Sequence, residues 1–285
     1  MFEVSIQILI PMFFPFLPVI VTEEETDING ATAEILVIME KNFSDEFPSS
    51  SRRQSHICEL FKKVNTIFQI SGIQLNISLK GLKMIKKLQD QPFLEDHVVK
   101  LPNRNFLNAT CVYEFNDFSM NQNWHSEYDA IILLTRTSLI HEGNEMAGFA
   151  FTSGLCKSWK NTAVAKPTPR TIAHEIGHML GVDHDSFYYD NKKMPFYYEC
   201  SPDERYIMGH YFDNLPELNL RFSPCSVDVF RSNLEQRESY DCLWIKNVKD
   251  DTARCIPAKI TCTMQTLQDP RSGCTDIESI IKQIR

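Results

Sequence analysis

The chain has no surplus of positive charge, no apolar run of membrane length, no internal repeat and no low-complexity tract. Each absence excludes something. Lys and Arg total 29 against 37 Asp and Glu, for a net charge of −8. An acidic balance argues against a nucleic-acid or anionic-membrane partner. The most apolar stretch, residues 8–21 (I-L-I-P-M-F-F-P-F-L-P-V-I-V), is too short to span a bilayer as a helix. Pro11, Pro15 and Pro18 would break a helix there in any case. No Lys or Arg precedes Lys41, so the basic start of a secretory leader is missing, although the apolar length suits one.

Cysteine, by contrast, is plentiful. Nine cysteines are too many for an ordinary cytosolic enzyme and favour an oxidising compartment. Three N-x-[ST] sequons, at Asn42, Asn76 and Asn108, offer glycosylation acceptors. Residues 1–22 are therefore read as a signal peptide, and the protein as secreted and extracellular. With 43% hydrophobic residues the 285-residue chain can bury a sizeable core, as one large domain or as one domain plus a small appendage.

The pattern of apolar residues sketches an α/β fold. Residues 34–39 form an apolar run that suits a buried strand. Ile57, Leu60, Phe61, Val64, Ile67 and Phe68 recur at spacings of three and four, which predicts an amphipathic helix over 54–70. Residues 73–79 alternate as a half-buried strand should, 129–135 read as a buried strand and 147–151 as a short edge strand. The stretch 187–220, rich in Tyr, Pro, Asp and Asn, reads as irregular loop, and helical spacing resumes over 226–234. From 247 to 285 the sequence turns polar around Cys255, Cys262 and Cys274, as a small cysteine-containing tail.

Chemistry concentrates in residues 171–185, T-I-A-H-E-I-G-H-M-L-G-V-D-H-D. Thr168 and Pro169 look like a helix start, a hydroxyl cap followed by proline at the first position. A helix from 169 to about 180 puts His174 and His178 four residues apart, on one face. Glu175 is then close enough to bond water at a metal without having to ligate it. Gly181 can adopt the left-handed conformation, end the helix and let His184 return as a third ligand. Three neutral nitrogens with one open position make a catalytic zinc site, not a closed structural one. The six fixed positions of H-E-x-x-H-x-x-G-x-x-H-D, at roughly one in twenty each, would arise by chance in a few chains per million. His56, His97, His125, His141 and His210 have no such spacing.

His174, Glu175, His178, Gly181 and His184 resemble the motif of the metzincin zinc proteases. Asp185 is similar to the adamalysin, or reprolysin, branch, which holds the ADAMs and the venom metalloproteases; the general look resembles arachnid salivary and venom members. The resemblance runs over roughly 33–246. It implies a metzincin-type catalytic domain with a mixed, mostly parallel sheet and an active-site helix. It also implies that Met208, in Tyr206-Ile207-Met208-Gly209, forms a hydrophobic floor beneath the metal. Disulfides Cys156–Cys242 and Cys200–Cys225 follow from the family pattern; a third, Cys58 with Cys111, has no family warrant. The family often binds structural calcium, for which Glu34 and Asp129 match two carboxylate positions, while Ile245 stands where another ligand is expected. Further departures are Ser186 after Asp185 and Tyr206 where a cysteine is usual. No cysteine precedes Cys58, so a cysteine-switch latch has no residue in this N-terminal segment. The tail has too few cysteines for a disintegrin domain and lacks Arg-Gly-Asp.

The expected function is a secreted, monomeric zinc endopeptidase that takes an extended polypeptide along residues 146–151, with Glu175 as general base. The competing expectation is an inert secreted binding protein or toxin on the same scaffold. Intact His174, Glu175, His178 and His184 count against it.

Overall fold

The computed structural model describes residues 30–209, 219–246, 248, 253 and 255. The expected signal peptide, most of the tail and His210 therefore lie outside the described residues. The chain begins with strand β1 (Ala31–Met39), the short helix α1 (Lys41–Asp45) and the long helix α2 (Ser50–Ile70). Strand β2 (Leu75–Met84) and the one-turn helix α3 (Pro92–Glu95) lead to strands β3 (Val98–Lys100) and β4 (Asn105–Asn108). Helix α4 (Cys111–Asn121) is followed by β5 (Ala130–Leu134), β6 (Leu139–His141), β7 (Asn144–Met146), β8 (Gly148–Ala150) and β9 (Thr162–Ala165). Helices α5 (Pro169–Met179), α6 (Asp185–Asn191) and α7 (Pro224–Glu235) follow among the described residues.

The main sheet has the order β2-β1-β5-β9-β8, and all its pairs are parallel except β8 with β9. This is the mixed, mostly parallel sheet expected. Successive side chains leave a strand on opposite faces, so β1 and β5 feed two cores at once. Ile35, Val37, Ile132 and Leu134 face α2, α5 and α7, while Leu36, Ile38, Ile131 and Leu133 face α3 and α4. That double burial is why these strands read as continuous apolar runs in place of alternating ones. A second sheet, β3-β4-β6-β7, flanks the α4 side and ends on the hairpin that runs into β8.

Three expectations need correction. The stretch 187–220 is not wholly irregular, because α6 opens it directly after His184. The strand β9 and the second sheet have no counterpart in the sequence reading; their runs of three and four residues are too short to show a period. Cys58 does not pair with Cys111. It bonds to Cys255, while Cys111 is a buried free thiol at the start of α4. The Cys58 bond holds residues beyond 246 against α2, where Ala253 is fully buried, its N–H donates to Lys80 O at 3.1 Å and its carbonyl accepts from Gln54. The other two bonds are Cys156–Cys242 and Cys200–Cys225. Cys262 and Cys274 lie outside the described residues.

Burial pushes the Cys111 thiol up to about 12, with Glu114 adding in the same direction, and only the thiolate is reactive. Cys111 is accordingly expected to resist alkylation in the native protein and to react fully after unfolding, while a non-reduced peptide map recovers Cys58 linked to Cys255. A native chain in which Cys111 alkylates as fast as a free peptide would contradict this packing.

Candidate metal centre

Helix α5 begins where its chemistry requires. Thr168 is extended and its Oγ1 accepts the Thr171 N–H at 3.1 Å, and Pro169 occupies the first position, where no N–H is needed. The helix ends in a turn in which the Gly181 N–H donates to His178 O at 2.8 Å and the Val182 N–H to Gly177 O at 3.0 Å. Gly181 sits at φ +84°, the left-handed conformation that closes such a turn. The chain therefore doubles back, and His184 arrives as the cap of α6.

The three imidazoles converge. His184 Nε2 lies 3.2 Å from His174 Nε2 and 3.2 Å from His178 Nε2. Three ligand nitrogens around one tetrahedral zinc, at about 2.0–2.1 Å each, stand about 3.3 Å apart. The outer nitrogens are already engaged: His174 Nδ1 bonds Ile207 O at 2.7 Å and His178 Nδ1 bonds Val182 O at 2.8 Å. Those carbonyls accept, so the protons sit on Nδ1 and the Nε2 lone pairs face one another. Without a cation between them that arrangement is repulsive. Among the described residues this is the only group of three or more His, Cys, Asp or Glu residues with metal-ligand spacing. Burial holds His174 well below the usual histidine range, and the neighbouring His178 and His184 add to this, so the ring is neutral as a ligand must be.

Glu175 is 3% exposed, and its Oε2 has no hydrogen-bond partner. Burial pushes its pKa well above the carboxylate range. The carboxylate reaches the edge strand β8. A β-carbon added to Gly148 would lie 2.7 Å from Glu175 Cδ and 2.8 Å from Cγ, so only glycine leaves room. The sequence reading missed Gly148 in this role, because only the folded sheet brings β8 over α5.

Met208 is fully buried, and a β-carbon at Gly177 would stand 2.7 Å from its sulfur. It thus packs directly against α5 between the two histidines of that helix. The Asp185 N–H donates to Met208 O at 3.0 Å. The Asp185 carboxylate is 1% exposed and accepts from Ser223 Oγ at 2.5 Å and Ser226 Oγ at 3.1 Å. Burial raises it to about 6, against the opposing pull of those two hydroxyls. Asp185 therefore joins the turn after His184 to the start of α7.

Glu34 and Asp129 lie apart from the triad. The Glu34 N–H donates to Asp129 Oδ2 at 2.8 Å, and Glu34 Oε2 accepts the Val248 N–H at 2.9 Å. These carboxylate oxygens hold main-chain donors, and Asn247 is outside the described residues. A hard cation such as calcium takes six to eight oxygens, many more than these two side chains offer. His97 faces Glu114 and Thr110, and His141 stacks near Phe149; neither approaches the triad's geometry. Among the sequons, Asn42 and Asn76 are exposed, while Asn108 is half-buried with Oδ1 accepting from Thr110.

Comparison with known proteins points to one group. The family model Reprolysin_5, described as Metallo-peptidase family M12, matches residues 29–223. A human protein, "A disintegrin and metalloproteinase with thrombospondin motifs 19", is 23% identical over 224 residues, covering 72% of this chain and 17% of that one. The "Venom metalloproteinase antarease-like TtrivMP_A" of Tityus trivittatus is 23% identical over 210 residues, covering 68% of this chain and 52% of its own. The chain thus matches about half or less of these relatives' length. Among solved structures, metalloproteinase-II from Bacteroides fragilis superposes with a TM-score of 0.46 at 15% identity, over 72% of this chain and 53% of that one.

The triad carries a pH prediction. His174 is held below its ordinary value of 6.5, so its neutral form contributes stability that is fully present above 6.5 and lost progressively as the pH falls from there towards the depressed folded value. Because the depressed value keeps His174 neutral below 6.5, zinc should be retained at about pH 6, where a free imidazole is mostly protonated, while the thermal midpoint falls as the unfolded chain takes up protons. Complete loss of zinc by about pH 6, read with a zinc-sensitive dye, would contradict the assignment of these nitrogens.

Proposed function

The chain belongs to the M12 metallopeptidase family, and from that premise we propose that it is a secreted zinc-dependent endopeptidase acting on extracellular or host polypeptides. One observation carries the proposal: three Nε2 atoms meet within 3.2 Å contacts beside a buried carboxylate and the terminal strand of a sheet. His174, His178 and His184 would hold the ion. When bound there, zinc supplies Lewis-acid chemistry, acidifying water and polarising a carbonyl.

The chain's own residues do the rest. Glu175 takes a proton from the attacking water at its carboxylate and passes it to the leaving amine as the peptide C–N bond breaks. The hydroxyl stays on the carbonyl carbon, so one water is consumed per bond cut. Its raised pKa suits a group that must carry the proton between the two steps. Strand β8 ends the main sheet, next to Gly148 and Glu175, so an extended substrate can add as a further strand and present its carbonyl to the site. Met208 and Gly177 form the apolar floor.

Secretion is supported by the three disulfides and by exposed sequons at Asn42 and Asn76. Among the described residues no helix is long and apolar enough to cross a membrane. In this reading residues 1–22 are a leader, 33–246 the catalytic unit and 247–285 a tail tied back through Cys255. An inert binding protein on the same scaffold is disfavoured by Glu175 standing beside an intact triad.

The test is cleavage of a mixed peptide library by the full-length chain, with and without a chelator, beside Glu175→Ala. Wild type should cleave. Chelation and Glu175→Ala should each lower the rate by about 100-fold or more, as loss of a general base does. Gly148→Ala, which pushes against Glu175, should lower kcat while leaving bound zinc stoichiometric. A folded, zinc-loaded wild type that cuts no peptide would sink the enzyme reading in favour of the binding protein.

A further inference from the structure

One buried charge near the triad has no part in this chemistry. Arg170 lies in the first turn of α5, four residues ahead of His174, and is 5% exposed. A guanidinium is tolerated at such depth only when its donors are satisfied. Its Nη1 donates to Asn219 O at 2.9 Å; its Nη2 donates to Tyr206 O and, at 3.4 Å, to Ile207 O. These acceptors belong to two segments already joined to each other. The Ile207 N–H donates to Arg221 O at 2.9 Å and the Asn219 N–H to Arg205 O at 3.2 Å. One planar fork therefore grips both segments from the helix. The Ile207 carbonyl is also the acceptor that orients His174 through Nδ1 at 2.7 Å, and the next residue is Met208, seated on Gly177.

We propose that Arg170 is a positioning residue for the metal centre. It fixes residues 206–208 against α5, so that Ile207 O meets His174 Nδ1 and Met208 closes the floor. This inference rests on the reading of the triad as a zinc site. Guanidinium suits the task because it cannot lose its charge and its donors diverge in a fixed plane. Lysine keeps the charge but offers one compact head in place of two diverging nitrogens. Methionine keeps much of the length and brings no donor. With the fork gone, Ile207 O is free to shift, and His174 loses the partner that fixes its tautomer and tilt. Loss of such an outer partner commonly costs about 10–100-fold in metal affinity.

The experiment compares the full-length wild type with Arg170→Met and Arg170→Lys. The zinc dissociation constant is measured by competition with a chromophoric chelator, and the visible spectrum of the cobalt(II)-substituted protein reports ligand geometry. Arg170→Met is expected to weaken zinc by about tenfold or more and to alter the cobalt bands. Arg170→Lys should recover part of both, and kcat should fall in each with KM little changed. A folded Arg170→Met protein with wild-type zinc affinity and cobalt spectrum would overturn the proposal. If Arg170→Met does not fold, Arg170→Lys decides. Wild-type affinity and spectrum in that variant would overturn the proposal, and weakened zinc with altered bands would support it. A wild type that takes up no zinc would overturn the metal reading itself, before any variant is compared.

Discussion

The left-handed turn at Gly181 is the constraint on which the site depends. Helix α5 alone can aim two imidazoles at one point, because residues four apart share a face. A third cannot come from a continuing helix. Position 184 would fall about 240° round the axis from position 178 and roughly 9 Å further along it. At φ +84° the chain instead turns back, and His184 meets the other two. Any residue with a β-carbon would be strained there and would also press on Ser153 and Asn233.

The surroundings of that turn are built so that it has no freedom. A helix end leaves carbonyls without partners, and here the loop after β8 supplies them. The Ser153 N–H bonds His178 O and the Leu155 N–H bonds Met179 O, both at 2.9 Å. Asn233, on α7, donates to Leu180 O at 2.7 Å. The same loop is held by the Cys156–Cys242 bond. The loop after the edge strand, helix α5 and helix α7 thus share one set of hydrogen bonds. Gly148 and Glu175 meet on the side of it formed by the terminal strand β8.

Legibility followed the range of the interactions. The long helix α2, the strands β1 and β5 and the start and end of α5 each carry a local signature: a period, a cap or a glycine. The short strands of the second sheet carry none, because their pairing is decided by partners far away in sequence. Helix α6 was hidden by aromatic residues. Tyr188 is buried with its hydroxyl accepting from the Asp183 N–H at 2.9 Å, whereas Phe187 and Tyr189 are exposed, so composition alone looked like loop. Cys58 was paired with the wrong cysteine, Cys111, because its partner Cys255 lies 197 residues away, and spacing says nothing about such a closure.

By itself the sequence determined the chemistry available: a histidine pair at helical spacing, a glycine to end the helix, a third histidine and a carboxylate beside the first. Those are local facts, set by the 3.6-residue turn and by which residues tolerate positive φ. Only the tertiary structure decided what that chemistry touches. It brought β8 over Glu175, seated Met208 on Gly177, placed Ile207 O behind His174 and buried Arg170 between two paired segments. The reason is physical. A backbone period is legible along a chain, but a contact between residues tens of positions apart depends on how every intervening layer packs.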